Sequence, residues 1–230
     1  MNDLMSSQVF WLTATLVAFA AADFVSRRSR RHPFCHPVLL ATPVLIAILL
    51  LTGTSYATYL EATQVLGFLL GPAVVGLAVP IWERRALIGR LAMPIAAALA
   101  AGSLTAIVSA VGIMMLFGAP RSILASIAPR ASTTPVAMEM ASQLGGVAAL
   151  AAVIVLFAGV VGAMTATPLF DALKIRDYRA RGFAIGVSAH GFGAARAFQV
   201  DSTAGTFAGL GMALNAIATA LLLSIAAILV

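Results

Sequence analysis

Residues 182–197 read GFAIGVSAHGFGAARA, and residues 130–146 read RASTTPVAMEMASQLGG. Both stretches are rich in glycine, proline or hydroxyl side chains, and both interrupt an otherwise very apolar chain. The first also carries His190 and Arg196 on backbone expected inside a membrane. A bilayer holds no water to satisfy such side chains or a broken backbone, so polar, helix-weakening sequence at that depth lines a path or site enclosed by protein. These two stretches therefore point to a conduit.

The composition around them sets the class. Of 230 residues, 61% are hydrophobic and 10% charged, which excludes a water-soluble globule, and several apolar runs approach the roughly 20 residues that span a bilayer. The net charge of +6 would suggest nucleic acid for a soluble chain; here the basic residues cluster between apolar runs and act as topology signals. Cys35 is the single cysteine, so an internal disulfide and a CxxC metal site are excluded, and no metal or cofactor is expected. The first apolar run lacks a basic n-region and a cleavage site, so it reads as a retained helix.

The fold expected is an all-α polytopic membrane protein forming one domain over 1–230. Seven spans are expected, near 9–25, 37–52, 65–82, 91–117, 147–170, 182–199 and 204–230. Basic residues follow the first span (Arg27, Arg28, Arg30, Arg31), the third (Arg84, Arg85, Arg90), the fourth (Arg121, Arg130) and the fifth (Lys174, Arg176, Arg179, Arg181), and none follow the second or sixth. That alternation places the amino terminus outside and the carboxyl terminus in the cytoplasm.

The count requires that 131–146 not cross completely. A re-entrant half-helix entering from outside fits it: Ser132, Thr133 and Thr134 before Pro135 suit a helix start with hydroxyl caps, and Gly145-Gly146 suits a stop. The alternative is an amphipathic surface helix with Glu139 and Gln143 on one face. A weak repeat also places Gly67 and Gly71 over Gly182 and Gly186, and Gly76 over Gly191. Inverted repeats with paired interrupted helices mark secondary transporters, though glycine-rich helices also simply pack closely.

In the third span, Gly71-Pro72 is expected to interrupt a helix that Pro80 closes. In the sixth, Ser188 and His190 stand among Gly186, Gly191 and Gly193, where backbone could approach a small solute. An anion is the natural guest of half-helix amino termini, hydroxyls and a guanidinium. Arg196 either sits deep and neutralises such an anion or snorkels to the interface. His190 and Glu139 could carry a coupling proton; alternatively His190 is a neutral histidine held by a backbone carbonyl. Asn215 reads as interhelical glue. Ser188 and His190 point to different faces, and no Gly-x-Ser-x-Gly or His-Glu-x-x-His motif is present, so no enzyme is expected.

The motifs LGPAVVGLAVP at 70–80, PRASTTPVAME at 129–139, Gly145-Gly146, and Gly182 followed by SAHGFGAARA at 188–197 resemble the LrgB/CidB family from about Gly67 onward, while residues 1–64 are generic. The resemblance implies a bacterial inner-membrane carrier of small hydroxy- or keto-monocarboxylates such as glycolate, glycerate or pyruvate, relatives of plastid glycolate/glycerate transporters. It also implies a smaller partner of the LrgA/CidA type; a homodimer is expected as well. The other activity attached to the family is an antiholin-like regulation of murein hydrolase export and lysis without solute transport. On the carrier reading, Ser132, Thr133, Thr134 and Pro135 receive the carboxylate from one side and Ser188, His190, Gly191 and Arg196 from the other. The chain departs from the family in having Arg130 where Lys is usual and Ala194 where Thr is frequent.

Overall fold

Within a bilayer the chain must satisfy its own backbone, and helices do so segment by segment. The computed structural model describes residues 8–29, 32, 35, 37–76 and 78–229, where the regular elements are α-helices. Arg30 and Arg31 of the first basic cluster, and Leu77 of the 70–80 motif, lie outside the described residues. The chain divides into two compact units, Met1–Ala78 and Val79–Val230.

The first unit contains α1 (Gln8–Arg28), α2 (Pro37–Thr52), α3 (Tyr56–Ala62) and α4 (Gln64–Gly76). Trp11 of α1 is fully buried and meets the Tyr59 ring of α3 edge-on at 5.5 Å, while the Thr15 and Tyr59 hydroxyls lie 3.0 Å apart. Gly53, at φ 65°, stops α2, and Ser55 caps α3 by accepting from the Thr58 amide. The two helices are bent by 118° across this turn. The expected interruption at Gly71-Pro72 is not seen: α4 runs through Pro72 to Gly76. Pro80 does not close a helix either, since it falls in the first turn of α5 (Ala78–Glu83), where no helical amide is required of it.

In the second unit, α6 (Arg85–Arg90) leads into α7 (Ala92–Leu116), which Gly118 stops at φ 69°. Two short helices follow, α8 (Arg121–Ile127) and α9 (Thr134–Gln143), then α10 (Ala148–Ala172). At 10 residues α9 measures about 15 Å, half a bilayer core of roughly 30 Å. Gly145, at φ 76°, ends it as the sequence predicts. Ser126 of α8 accepts from the Val147 amide at 2.8 Å, so the chain entering and the chain leaving this segment lie side by side. Residues 121–147 are therefore a helical hairpin, and its first leg starts earlier than the 131–146 segment that the sequence marks.

The element α11 (Tyr178–Val200) departs most from the sixth span expected of it. Its backbone leaves helical geometry at Ala189 (φ −128°, ψ 15°) and His190 (φ 40°, ψ −129°). A straight helix would hold Arg181 and Arg196 about 22 Å apart. Instead both line one narrow cleft of about 20 Å³, together with Phe170 near the end of α10 and Ala204 near the start of α12 (Ser202–Leu229). A Cβ on Gly193 would lie 2.5 Å from the Ile185 carbonyl, which places the second leg directly against the first. The chain thus folds back at 189–190, and α11 is a second hairpin, not a crossing.

That fold-back corrects the expected topology. Residues 178–188 run parallel to α12: Gly182 faces the Ala204 carbonyl, and Gly186 the Ala208 carbonyl, each so closely that a side chain would overlap backbone. Because α12 starts where α10 ends, the Lys174 to Arg181 cluster and the end of α12 lie at opposite ends of the unit. They cannot both be cytoplasmic, as the alternation count requires. Four helices are long and apolar enough to span a membrane, namely α1, α7, α10 and α12, or five if α2 and α3 form one bent span. By this measure among the described residues, the seven spans expected are not matched one for one.

Candidate functional site

The two hairpins meet at their tips. Asn215 is fully buried near the middle of α12, and its Nδ2 donates to the Ala131 carbonyl at 2.8 Å and to the Val187 carbonyl at 3.1 Å. Ala131 lies in the turn of the first hairpin, and Val187 just precedes the turn of the second. A helix broken at 189–190 cannot keep its regular i to i+4 ladder there, so a side-chain donor at Val187 replaces backbone pairing. The Asn215 Oδ1 accepts from Ser103 at 2.6 Å, and Ser103 is itself fully buried near the middle of α7. With Thr219 3.5 Å away on the same oxygen, the carboxamide is committed on both ends, as its reading as interhelical glue anticipates.

The second tip is held from α10. His190 is buried, and its Nε2 lies 3.0 Å from the Val155 carbonyl. A carbonyl only accepts, so Nε2 carries the proton and donates. The ring sits over Gly159, where any Cβ would overlap it, and packs edge-on to Phe192 at 5.7 Å. A positive φ on a residue other than glycine costs on the order of 1–3 kcal/mol and persists only where surrounding contacts impose it. The break falls on Ala189 and His190, whereas the neighbouring glycines Gly186, Gly191 and Gly193 stay in helical legs; Gly186 and Gly193 serve close packing.

At the first tip, Thr133 occupies the N-cap of α9 with extended backbone, Thr134 and Pro135 begin the helix, and no side chain caps it. The expected hydroxyl caps are absent because the Thr133 side chain does not turn back onto its own helix. Ser132 is buried with no hydrogen-bond partner for its Oγ among the described residues. The amino ends of α9 and of residues 191–200 thus begin at the two tips, where the first amides of a helix have no partner on their own helix.

Two cavities flank residues 178–188. One, of about 760 Å³, lies between α7 and α11; the other, of about 720 Å³, lies between α10 and α11. Arg130 and Ser188 line both. The Ser188 hydroxyl donates to the Ala184 carbonyl at 2.8 Å, which leaves its lone pairs free.

Among the expected site residues, Ser132, Thr133, Thr134 and Pro135 gather at one tip and Ser188, His190 and Gly191 at the other. Arg196 does not join them. The fold-back carries it to the open end of the hairpin beside Arg181, with its Nη1 3.5 Å from Gln199 Oε1, and it lines neither large cavity. Glu139 lies on the exposed face of α9, accepting from Gln143 at 2.8 Å. Gly146 presses on Ser126, binding the first hairpin to α10. Gly67 and Gly76, set over Gly182 and Gly191 by the sequence repeat, have nothing within 4 Å of a Cβ position. Arg130 is not among the expected site residues, yet it lines both large cavities. The signal available was a cation in the 129–139 motif, at one of the residues shared by the two cavities.

In the second unit, α7, α10 and α12 pack against two hairpins joined tip to tip, which defines a helical membrane protein with a buried polar junction. The chain belongs to the LrgB-like family, whose model matches residues 15–229. It is similar to YwbG of Bacillus subtilis (strain 168), an uncharacterized protein, with 32% identity over 208 residues, 90% of this chain and 92% of the relative. It is also similar to the holin-like protein CidB of Staphylococcus aureus (strain N315), with 26% identity over 227 residues, 98% of this chain and 97% of the relative. No solved structure matches the chain.

Proposed function

We propose that this chain carries small hydroxy- or keto-monocarboxylates across a bacterial inner membrane. The observation that supports this most is the junction at Asn215, which brings two hairpin tips to the middle of α12. Hairpins of this kind, entering from opposite faces and meeting at the midplane, are how secondary carriers present half-helix amino termini to an anion. The pattern of a hairpin followed by a span occurs twice, over 121–172 and 178–229, with α10 and α12 running in opposite senses. This supports an inverted repeat in a register other than the one the glycines suggest. The positive-inside rule then puts Lys174 to Arg181 in the cytoplasm and the end of α12 outside.

A partner of the LrgA/CidA type and self-association as a dimer remain part of the proposal. The other reading, an antiholin-like regulator of lysis whose glycine motifs are surfaces for a partner, takes support from the name holin-like borne by the CidB relatives. The glycines weigh against it, because Gly159, Gly182 and Gly186 are already occupied by contacts within the chain.

Reconstituted protein given radiolabelled glycolate, glycerate or pyruvate tests the carrier reading. Saturable uptake is expected, and it is expected to be lost in Thr134→Ala and His190→Ala while both variants still insert. Empty liposomes matching the loaded ones for every acid would end the carrier reading; uptake that both variants retain would remove those two residues from the site.

A further inference from the structure

Among the described residues, Arg130 is a half-buried cation whose placement the packing does not explain. Its neighbour Ala131 is bonded to Asn215 near the middle of α12, and Asn215 is bonded in turn to Ser103 near the middle of α7, so Arg130 lies level with the centre of two spanning helices. A guanidinium at that depth is costly and is ordinarily paired. Among the described residues no hydrogen bond or ion pair holds this one, although it is only half-buried and faces two cavities. The carboxylate lining the larger cavity, Asp177, is taken by Arg179, whose Nε lies 3.0 and 3.1 Å from the two carboxylate oxygens.

We propose that Arg130 is the group that binds the substrate's carboxylate, with the remainder of the molecule in the cavity between α7 and α11, where the free lone pairs of the Ser188 oxygen can accept from a substrate hydroxyl. The inference rests on the carrier reading and deepens it. The two residues are brought together by one side chain: Asn215 holds the carbonyls of Ala131 and Val187, and Arg130 and Ser188 are their chain neighbours. A guanidinium meets a carboxylate with two parallel N–H donors, which Lys cannot do. The larger cavity adds the hydroxyls of Thr105 and Ser109 opposite Ser188, whereas the smaller offers Thr165 on a wall that is otherwise apolar. A small acid bearing a second oxygen therefore fits the α7 side.

The test uses wild-type protein in detergent, treated with phenylglyoxal, which modifies accessible arginines, in the presence and absence of acetate, glycolate and pyruvate. Mass spectrometry reads modification at Arg130 and, as an internal control, at the exposed Arg121. The expected result is a several-fold slowing at Arg130 alone, with glycolate protecting better than acetate. In parallel, Arg130→Gln is expected to lose acid-dependent thermal stabilisation and Arg130→Lys to keep it at roughly tenfold weaker affinity. Thr105→Val is expected to weaken glycolate binding and Thr165→Val to leave it unchanged. Acid-dependent stabilisation of the wild type without protection at Arg130 overturns the assignment while leaving the carrier reading intact. A wild type that neither binds nor takes up any of the three acids overturns both. Protection together with an effect confined to Thr165→Val places the substrate in the other cavity and overturns that part of the proposal.

Discussion

The Nδ2 of Asn215 donates to the Val187 carbonyl, a group beside the break in α11, and to the Ala131 carbonyl in the turn of the opposite hairpin. One carboxamide thus joins two interrupted segments that are far apart in sequence. In a low-dielectric interior such a junction is decisive, because each buried carbonyl left without a donor costs about 1–3 kcal/mol.

Replacing Asn215 by Leu should therefore destabilise the protein by about 2–4 kcal/mol, since two carbonyls and the Ser103 hydroxyl lose their partner together. Asn215→Asp should be no better, because an ionised carboxylate cannot donate to either carbonyl. Thermal unfolding of the purified variants in detergent, followed by loss of the monodisperse peak, measures this. A melting temperature within a degree of wild type for Asn215→Leu would show that the junction is not holding the tips.

At His190 the backbone and the side chain make opposing demands. His190→Ala loses the bond to Val155 yet keeps a Cβ at φ 40°, whereas His190→Gly loses the same bond and relieves the strain. Glycine should thus be the milder substitution, by about 1 kcal/mol. The order of the two melting temperatures is the measurement, and alanine above glycine contradicts the strained turn.

Glycines that look alike in the sequence should behave differently. Gly182→Ala sets a methyl against the Ala204 carbonyl and should lower the yield of folded protein severely, while Gly67→Ala meets nothing within 4 Å and should be neutral or stabilising. Fluorescence-detected gel filtration of the two variants in one expression host compares them directly.

The fold-back in α11 makes a topological prediction. In a Cys35→Ser background, a cysteine at Lys174 and a tag following Val230 should be reached by impermeant reagents from opposite faces of the membrane. Labelling of both from one face would restore α11 as a crossing.

The legibility of each feature follows its range. Apolar run length is local, and α1, α7, α10 and α12 fall within a few residues of the expected spans. The stop at Gly145 and the start at Thr134-Pro135 were equally readable, because a left-handed glycine and an N-terminal proline act on their own turn. The Gly71-Pro72 interruption expected from sequence does not form, since a proline weakens a helix by an amount that neighbouring turns can absorb. Arg196 was misplaced because six residues past a break is a depth only if the helix continues in its original direction.

By itself, the sequence determined that this is a helical membrane protein, where its polar centres lie along the chain, and which family it resembles; each follows from side-chain chemistry within a single turn or span. Only the tertiary structure decided that residues 178–200 return on themselves, that Arg130 and not Arg196 faces the cavities, and that Asn215 joins the two tips. The reason is physical. A reversal at His190 needs a residue held at positive φ, and what holds it there is Gly159 and the Val155 carbonyl on α10, contacts that no local pattern encodes.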